Sequence, residues 1–594
     1  MVRPSVLNRR LRLSLKSPIS ESPRHCTFAR RRNISTTLPS ISPLSRSISH
    51  SLCRNHLLSL ILPYTRTTDI AFQRQYFSKN ITMASEPPLP TITLTADETK
   101  VRNLLVDLAA SIDAQNTDSD RPPTVLRITG GWVRDKLLNG KSNDIDIGIN
   151  NMTGFEFANH LSEFLTSNVE KYGIPPKSIH KIESNPEKSK HLETATTKIM
   201  GLDIDFVNLR SETYSDESRI PQMKFGTPTE DALRRDACVN ALFYNLMTQQ
   251  VEDFTTRGLP DLHAKLIRTP LPPYETFRDD PLRVLRLIRF ASRLSFTIIP
   301  EVTEAMRNPD IKTALKLKIS RERVLAEVEK MLNGAEHPYE ALDIIEKLEL
   351  GDCIFDPPEE KREEWGVRIS NFRAAIQVLK GFYGGSWQGC DRVKGLVVSE
   401  RDRYLMWLFA AVSPWNGIVW TKEKKKTWPA AAVAARSGLM LSNVNFESLV
   451  RMFGNMEGIR GCLGRADAMT RAEVGGLVRG WGSEWRVQIF ASLVMEIVER
   501  SSDAEGEGQR KFEPDVEVLE KYEGLVKRIE DLGLEKAWDF KPLLTGTELQ
   551  DVLKKKPGPW MKKVLEDVMV WQLDHPGGTK DEAKEFVASL EKTS

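Results

Sequence analysis

Asp144 and Asp146, two residues apart in a run of alternating polar and isoleucine positions, carry the clearest chemical signal in this chain. The alternation over 143–149 predicts a strand, with both carboxylates on one face and Ile145, Ile147 and Ile149 on the other. Carboxylates held that close repel unless a cation lies between them. Hard oxygen donors so arranged suit Mg²⁺ that also holds substrate phosphates. Just upstream, Gly130-Gly131 separate a short strand-like run at 125–128 from helically spaced residues 132–138, which Asn139-Gly140 terminate. A glycine turn lets the backbone approach a ligand closely, and a helix start offers N–H groups to phosphate. A lone Gly-Gly is ordinarily a turn, and a lone Asp-x-Asp a solvated strand end. Both inside one strand–turn–helix–strand unit point to nucleotidyl transfer.

Further elements must bring partners to this pair. Residues 97–112 and 155–167 are amphipathic and predict helices. Residues 200–210 predict another strand with Asp203 and Asp205 on one face, so Asp205 is a candidate third carboxylate; a strand-end charge reads equally well. Glu230 and Asp231 open a predicted helix along which Arg234, Arg235, Asp236 and Asn240 lie, and Gly258 and Pro260 predict a turn between two strand pieces. Asp280 stands before Pro281 as an N-cap stands before proline at the first helical position. In that helix Leu282, Leu285 and Phe290 mark a buried stripe, and Arg283, Arg286, Arg289 and Arg293 follow at three- and four-residue steps. Two readings compete. Asp280 merely caps while the arginines are solvated, or Asp280 and Arg283, one turn apart, face a common ligand. A carboxylate accepts from an amino group and a guanidinium donates to a ring nitrogen or carbonyl, so the pair can read the edge of a base.

Composition excludes other classes. The 594 residues contain six cysteines without a C-x-x-C pair and nine histidines without ligand spacing, which argues against zinc and disulfide frameworks. No run approaches the roughly 18 apolar residues of a membrane span. Residues 1–82 hold 12 Arg, 2 Lys and only Glu21 and Asp69 as acids, the composition of a disordered mitochondrial transit peptide. That points to the mitochondrial matrix. Met83 opens a different composition and could start a second form for cytoplasm and nucleus. Without 1–82 the chain has 70 basic and 79 acidic residues, so RNA contact must come from local patches. From about 300 onward the pattern is helical almost throughout, interrupted by a low-complexity linker at 501–511. Near the end, Lys554, Lys555, Lys556, Lys562 and Lys563 flank a Pro-Gly-Pro turn and Trp560, a combination that could hold an RNA backbone or form a plain surface helix pair.

Taken in order, these motifs resemble the class II tRNA nucleotidyltransferases, the CCA-adding enzymes, in their eukaryotic form. The resemblance rests on GGWVRDKLL with NDIDI, DALRRDACVNALFYN, DFTTRGLPDL, RDDPLRVLRLIRFA and ISRERVLAEVEKML, in family order over roughly 125–335, and on KPGPW in the tail. It departs from the bacterial pattern in having Asp279-Asp280 where Glu-Asp is usual. The resemblance implies an α+β fold. A polymerase-β-like nucleotidyltransferase head, a mixed sheet with helices, would occupy 83–270. An all-α neck (271–335), body (336–500) and tRNA-binding tail (512–594) would follow. It implies addition of C, C and A to tRNA 3′ ends from CTP and ATP, with two Mg²⁺ ions held by Asp144 and Asp146, joined by Asp205 as a candidate. Gly130, Gly131 and Arg134 would hold triphosphate, and Arg234, Arg235, Asp236 and Asn240 the ribose and phosphates. Asp280 and Arg283, with Asp279 less firmly matched, would template the base, and the tail would meet the tRNA acceptor stem and elbow. A poly(A) polymerase-type or CC-only tailing enzyme shares the head motifs, whereas a catalytically inactive RNA-binding relative would have lost a carboxylate.

Overall fold

The structure, a computed structural model, describes residues 91–174, 180–182, 194–215, 218–334, 336–365, 369–384, 387, 390–422, 426–502 and 515–592. The transit-peptide expectation for 1–82, the Met83 start, and almost all of the polar segment at 183–192 and the linker at 501–511 lie outside them. The first described helix, α1 (Ala96–Gln115), begins where Thr95 and Glu98 cap each other's backbone N–H groups. It leads to β1 (Leu126–Thr129), α2 (Gly131–Leu137), β2 (Asp144–Ile149) and α3 (Gly154–Ser167), the last opened by a second reciprocal cap, Thr153 with Glu156. Next come β3 (His180–Ile182), β4 (Thr194–Ile199) and β5 (Leu202–Asn208), then the hairpin β6 (Arg210–Ser215) and β7 (Ser218–Phe225). The helix α4 (Pro228–Leu233) precedes β8 (Leu242–Asn245) and β9 (Gln250–Asp253). One seven-stranded mixed sheet results, in the order β3-β4-β5-β2-β1-β8-β9. Its one parallel pair is β2 with β5; all the others are antiparallel.

Alternation along β2 does what it predicts. Ile145, Ile147 and Ile149 are buried in the core and the aspartates are not. The helix α3 crosses β5 so closely that a Cβ at Gly154 would fall 1.9 Å from the Phe206 carbonyl oxygen. Gly154→Ala is therefore expected to push α3 off the sheet and destabilise the chain by at least about 1–3 kcal/mol, the usual range for overpacking. An unchanged melting temperature would contradict this.

The segment 251–270 corrects the sequence reading. Gly258 and Pro260 do not form a turn between strands; they occupy the first turn of a helix, α5 (Gly258–Ala264). Proline is tolerated there because first-turn N–H groups have no intrahelical acceptor. Asp253 satisfies one of those groups, accepting from Leu259 N–H at 2.9 Å. Two helices then meet nearly end to end, α6 (Pro273–Asp279) and α7 (Leu282–Leu294), and α8 (Arg321–Leu332) packs on α7.

Leu266–Ile267 and Thr297–Ile298 form a short parallel pair, and among the described residues after α8 the chain is helical apart from a hairpin of β10 (Val419–Lys422) and β11 (Lys426–Pro429) before α9 (Ala430–Leu439) and α10 (Asn443–Gly454). Its Thr- and Trp-rich strands pair Trp420 with Trp428 across the ladder, the kind of contact that stabilises a two-stranded sheet. A continuous core runs from α1 through α11 (Val516–Asp531) to Ala537 and takes in Met569 and Leu573 further on. A separate small core, built on Leu549, Val568 and Val587, joins α12 (Gly546–Leu553), α13 (Trp560–Asp574) and α14 (Lys580–Lys592). No described helix is long and apolar enough to cross a membrane.

Candidate functional site

The turn after β1 is glycine by necessity. Gly130 has φ +77°, a conformation side chains rarely adopt, and its N–H donates to the Leu242 carbonyl. That geometry starts α2 beside the ends of β2 and β8. Arg134, buried on α2, donates to the Asn240 side chain and bonds Asp135 Oδ1 at 2.6 Å. Asn240 is also buried and accepts from Arg235 through its carbonyl at 3.3 Å. Gly130, Arg134, Arg235 and Asn240 thus form one connected wall.

Arg234, Arg235, Asp236 and Asn240 do not lie along one helix, contrary to the sequence expectation. The helix α4 stops at Leu233, and Cys238–Asn240 form a single 3₁₀ turn. Asp231, which is buried, pairs with both arginines one turn on, Arg234 at 2.5 Å and Arg235 at 2.8 Å, as helical spacing allows. The Cys238 N–H then goes to the Arg268 carbonyl at 2.8 Å instead of continuing a helix. Breaking the helix turns all four side chains toward a common space.

That space is a cleft of about 730 Å³ lined by Gly130, Gly131, Arg134, Asp144, Asp146, Arg234, Arg235, Asp236, Asn240, Asp280 and Arg283. It therefore gathers most residues singled out from sequence, from three separate stretches. Asp205 and Asp279 are not among its lining residues. Asp205 stands in register with Asp146 across the parallel pair. Asp203, its neighbour, is held by Lys198 at 3.0 Å. Asp279 ends α6 half-buried, and that burial raises its carboxyl against the pull of Arg283.

Electrostatics single out β2. Asp146 is open to the cleft yet ringed by protein. That burial, with the Asp144 and Asp205 carboxylates, pushes it up to about 6 although Arg235 acts the other way. Burial, Asp205 and Asp203 raise Asp144 as well. Among the described residues no three His, Cys, Asp or Glu side chains form a closed metal cage. Two mutually repelling carboxylates on one strand face still fit an open Mg²⁺ site, which keeps positions for water and phosphate oxygens.

Opposite them, Arg283, Arg286 and Arg289 of α7 are held by protein partners, while Arg293 is exposed. Arg286 Nε donates to Asp236 at 2.6 Å and Arg289 Nε to Glu327 at 2.6 Å. Burial alone would raise Asp236, but Arg286 and Arg283 hold it at about 2. Arg283 is buried and donates to the Arg234 carbonyl at 2.8 Å. Asp280 does cap, accepting from the Leu282 N–H at 3.1 Å through Oδ1, while Oδ2 lies 3.4 Å from Arg323 and faces the cleft. Capping and cleft exposure thus coexist in one carboxylate.

Sequence reasoning missed Glu212, on β6. Its side chain is buried, lines the cleft and approaches Arg210 at 2.7 Å, Arg234 at 3.1 Å and Arg283 at 4.0 Å. In sequence it is one charge in a polar strand, with no period or spacing to mark it. Arg323, on α8, also lines the cleft, and in sequence it is one charge among several in the ISRERVLAEVEKML run.

In the tail, Lys554, Lys555, Lys556, Lys562 and Lys563 are exposed around the Pro-Gly-Pro turn. Trp560 is half-buried against the small tail core, and its indole N–H is used on the Lys556 carbonyl at 2.9 Å. This leaves the lysines as the outward feature.

Comparison with known proteins agrees with this geometry. Residues 126–268, from β1 to the strand after α5, match the Poly A polymerase head domain. Over 518 residues the chain is 40% identical to the mitochondrial CCA tRNA nucleotidyltransferase of Saccharomyces cerevisiae, covering 83% of this chain and 93% of that protein. It is 39% identical over 525 residues to the Candida glabrata protein of the same name, covering 84% and 97%. A solved CCA-adding enzyme shares the fold, with a TM-score of 0.55 at 18% identity over 84% of this chain and 96% of that one. Near-full-length identity of this order, with the paired aspartates and the arginine-lined cleft in place, makes this chain a member of the CCA tRNA nucleotidyltransferase family.

Proposed function

We propose that the chain adds C, C and A to the 3′ end of tRNA without a nucleic-acid template, using CTP and ATP, and that it works in mitochondria. The observation that carries the chemistry is the Asp144–Asp146 pair in the cleft that also holds Asp280 and Arg283. Likeness over 83–84% of the chain to mitochondrial CCA tRNA nucleotidyltransferases supports the substrate and the compartment. In this reading Asp144 and Asp146 hold Mg²⁺, with Asp205 adding negative field from β5. When bound, two such ions acidify the RNA 3′ hydroxyl and neutralise the triphosphate and departing pyrophosphate. Gly130, Gly131 and Arg134 cradle phosphate. Arg235, tethered to Asp231, presents positive charge beside Asp146. Arg234, Asp236 and Asn240 surround the ribose. Asp280 and Arg283 offer an acceptor and a donor to the base edge, with Asp279 behind them. The exposed tail lysines, with Trp560 bracing their turn, meet the acceptor stem and elbow.

Incubating purified protein with a tRNA lacking its 3′ end, and each NTP singly and in pairs, tests this. Two C additions with CTP, and one A only after them, are expected. Arrest at CC means a CC-only enzyme, serial A incorporation means a poly(A) polymerase-type enzyme, and no incorporation means an inactive RNA-binding relative.

Mg²⁺ must compete with a proton at Asp146. The Mg²⁺ concentration for half-maximal rate is therefore expected to rise as pH falls through about 6 and to level off above pH 7.5. A flat Mg²⁺ requirement from pH 5.5 to 8 would remove Asp146 from the metal site. A reporter fused to residues 1–82 is expected in mitochondria, and a fusion beginning at Met83 in cytosol and nucleus. A diffuse 1–82 fusion would overturn the targeting assignment.

A further inference from the structure

Away from the cleft, β10, β11, α9 and α10 border a second opening of about 450 Å³, lined by Trp420, Trp428, Val433, Arg436, Ser437 and Phe446. The two indoles are cross-strand partners with centroids 5.8 Å apart and planes inclined by 31°. Phe446 meets Trp428 edge-on at 6.3 Å. Both tryptophans are half-buried: one side of each packs against the main core and the other borders this opening. Cations border the rings. Lys426 Nζ lies 5.2 Å from the Trp428 centroid, and the exposed Arg436 guanidinium 4.5 Å from that of Phe446. Between residues 416 and 446 the sequence has five Lys or Arg and one acid, Glu423, within a chain that is net acidic after residue 82. Local positive charge together with accessible aromatic faces is what unpaired nucleotides require, since every base has a face to stack and every phosphate a charge to pair. An acidic peptide would use the cations and leave the indoles idle. An apolar peptide would do the reverse.

We infer that this hairpin is a second RNA-holding surface, which takes unpaired nucleotides of the tRNA at a distance from the 3′ end being extended. A base lies against the Trp420–Trp428 faces and its phosphate meets Arg436 and Lys426. The inference rests on the proposed function for the identity of the RNA.

The test uses the full chain, with Trp428→Ala and Arg436→Gln. Binding of fluorescent tRNA lacking its 3′ end, and of a short unpaired RNA, is measured by anisotropy across salt concentrations. Trp428→Ala is expected to weaken tRNA binding roughly tenfold, the loss of one stacked base. Arg436→Gln is expected to lower the salt slope by about 0.7–0.9, the loss of one phosphate contact. Turnover at saturating tRNA should not change. Ultraviolet crosslinking of thiouridine-bearing tRNA to wild-type protein should label the peptide 416–446. Wild-type binding in both variants, or crosslinks that avoid this peptide, would overturn the inference. So would a loss of self-association with RNA affinity unchanged, which would mean the surface receives a second copy. If Trp428→Ala lowers the melting temperature, the exposed Arg436 and the crosslink decide the matter. Failure of all tRNA extension with these binding losses intact would sink the proposed function and leave this surface standing.

Discussion

Asp146→Asn is expected to abolish nucleotide addition while the chain stays folded and still binds tRNA. The substitution keeps the size of the side chain and removes the charge that would hold metal and, through it, the triphosphate. Removing one preorganised charge-stabilising group costs about 10²- to 10³-fold in rate, and a metal-holding carboxylate should cost at least that much. Asp144→Ala should behave alike. Stability should move the other way. Asp146 has a pKa of about 6 in the fold against an ordinary 3.8, so its charged form is disfavoured there. Its contribution is favourable below about pH 4 and is lost as pH rises through about 6. Without metal, Asp146→Asn should therefore melt at or above the wild-type temperature at pH 8, and the difference should shrink toward pH 4. Calorimetry at both pH values, with single-turnover CTP addition, checks the two halves separately. Near-wild-type turnover would sink the metal assignment. A large drop in melting temperature at pH 8 would show Asp146 to be a structural residue.

Arg283→Ala is expected to damage nucleotide choice more than triphosphate affinity. A bidentate base contact is worth about 1–3 kcal/mol of discrimination, or roughly ten- to a hundredfold and somewhat more. UTP and GTP incorporation should rise relative to CTP and ATP by that factor while the total rate falls. Arg283 is the better test of the pair. Asp280 also caps α7, so Asp280→Ala carries a stability loss of about 1 kcal/mol in addition to any loss of selection. Arg283→Ala has its own structural component, because the guanidinium bonds the Arg234 carbonyl and approaches Glu212. Relative kcat/KM for the four nucleotides on one tRNA separates the two. A structural defect lowers all four alike, whereas lost templating changes their ratios. Intact preference for CTP and ATP would mean that Arg283 ties α7 to the head and does not read the base.

What the sequence determined by itself is what depends on neighbours a few residues apart. The strand period of two placed Asp144 and Asp146 together and buried Ile145, Ile147 and Ile149. The Gly130 turn, the end of α2 at Asn139-Gly140, and Asp280 as a cap all follow from backbone stereochemistry and one-turn hydrogen bonds. Tertiary structure alone decided what depends on which strands and helices meet. Asp205 comes beside Asp146 only because β2 pairs with β5 in parallel, and no local periodicity specifies which strands pair. Glu212 has meaning only where β6 brings it to Arg234 and Arg283. Spacing left open whether the arginines of α7 are solvated, because it shows a face but not what covers it; Asp236 and Glu327 engage Arg286 and Arg289, while Arg293 stays exposed. Likewise Arg234, Arg235, Asp236 and Asn240 fit a helix by spacing, yet the Cys238 N–H is taken by the Arg268 carbonyl, distant in sequence, so the helix ends and the cleft acquires its wall.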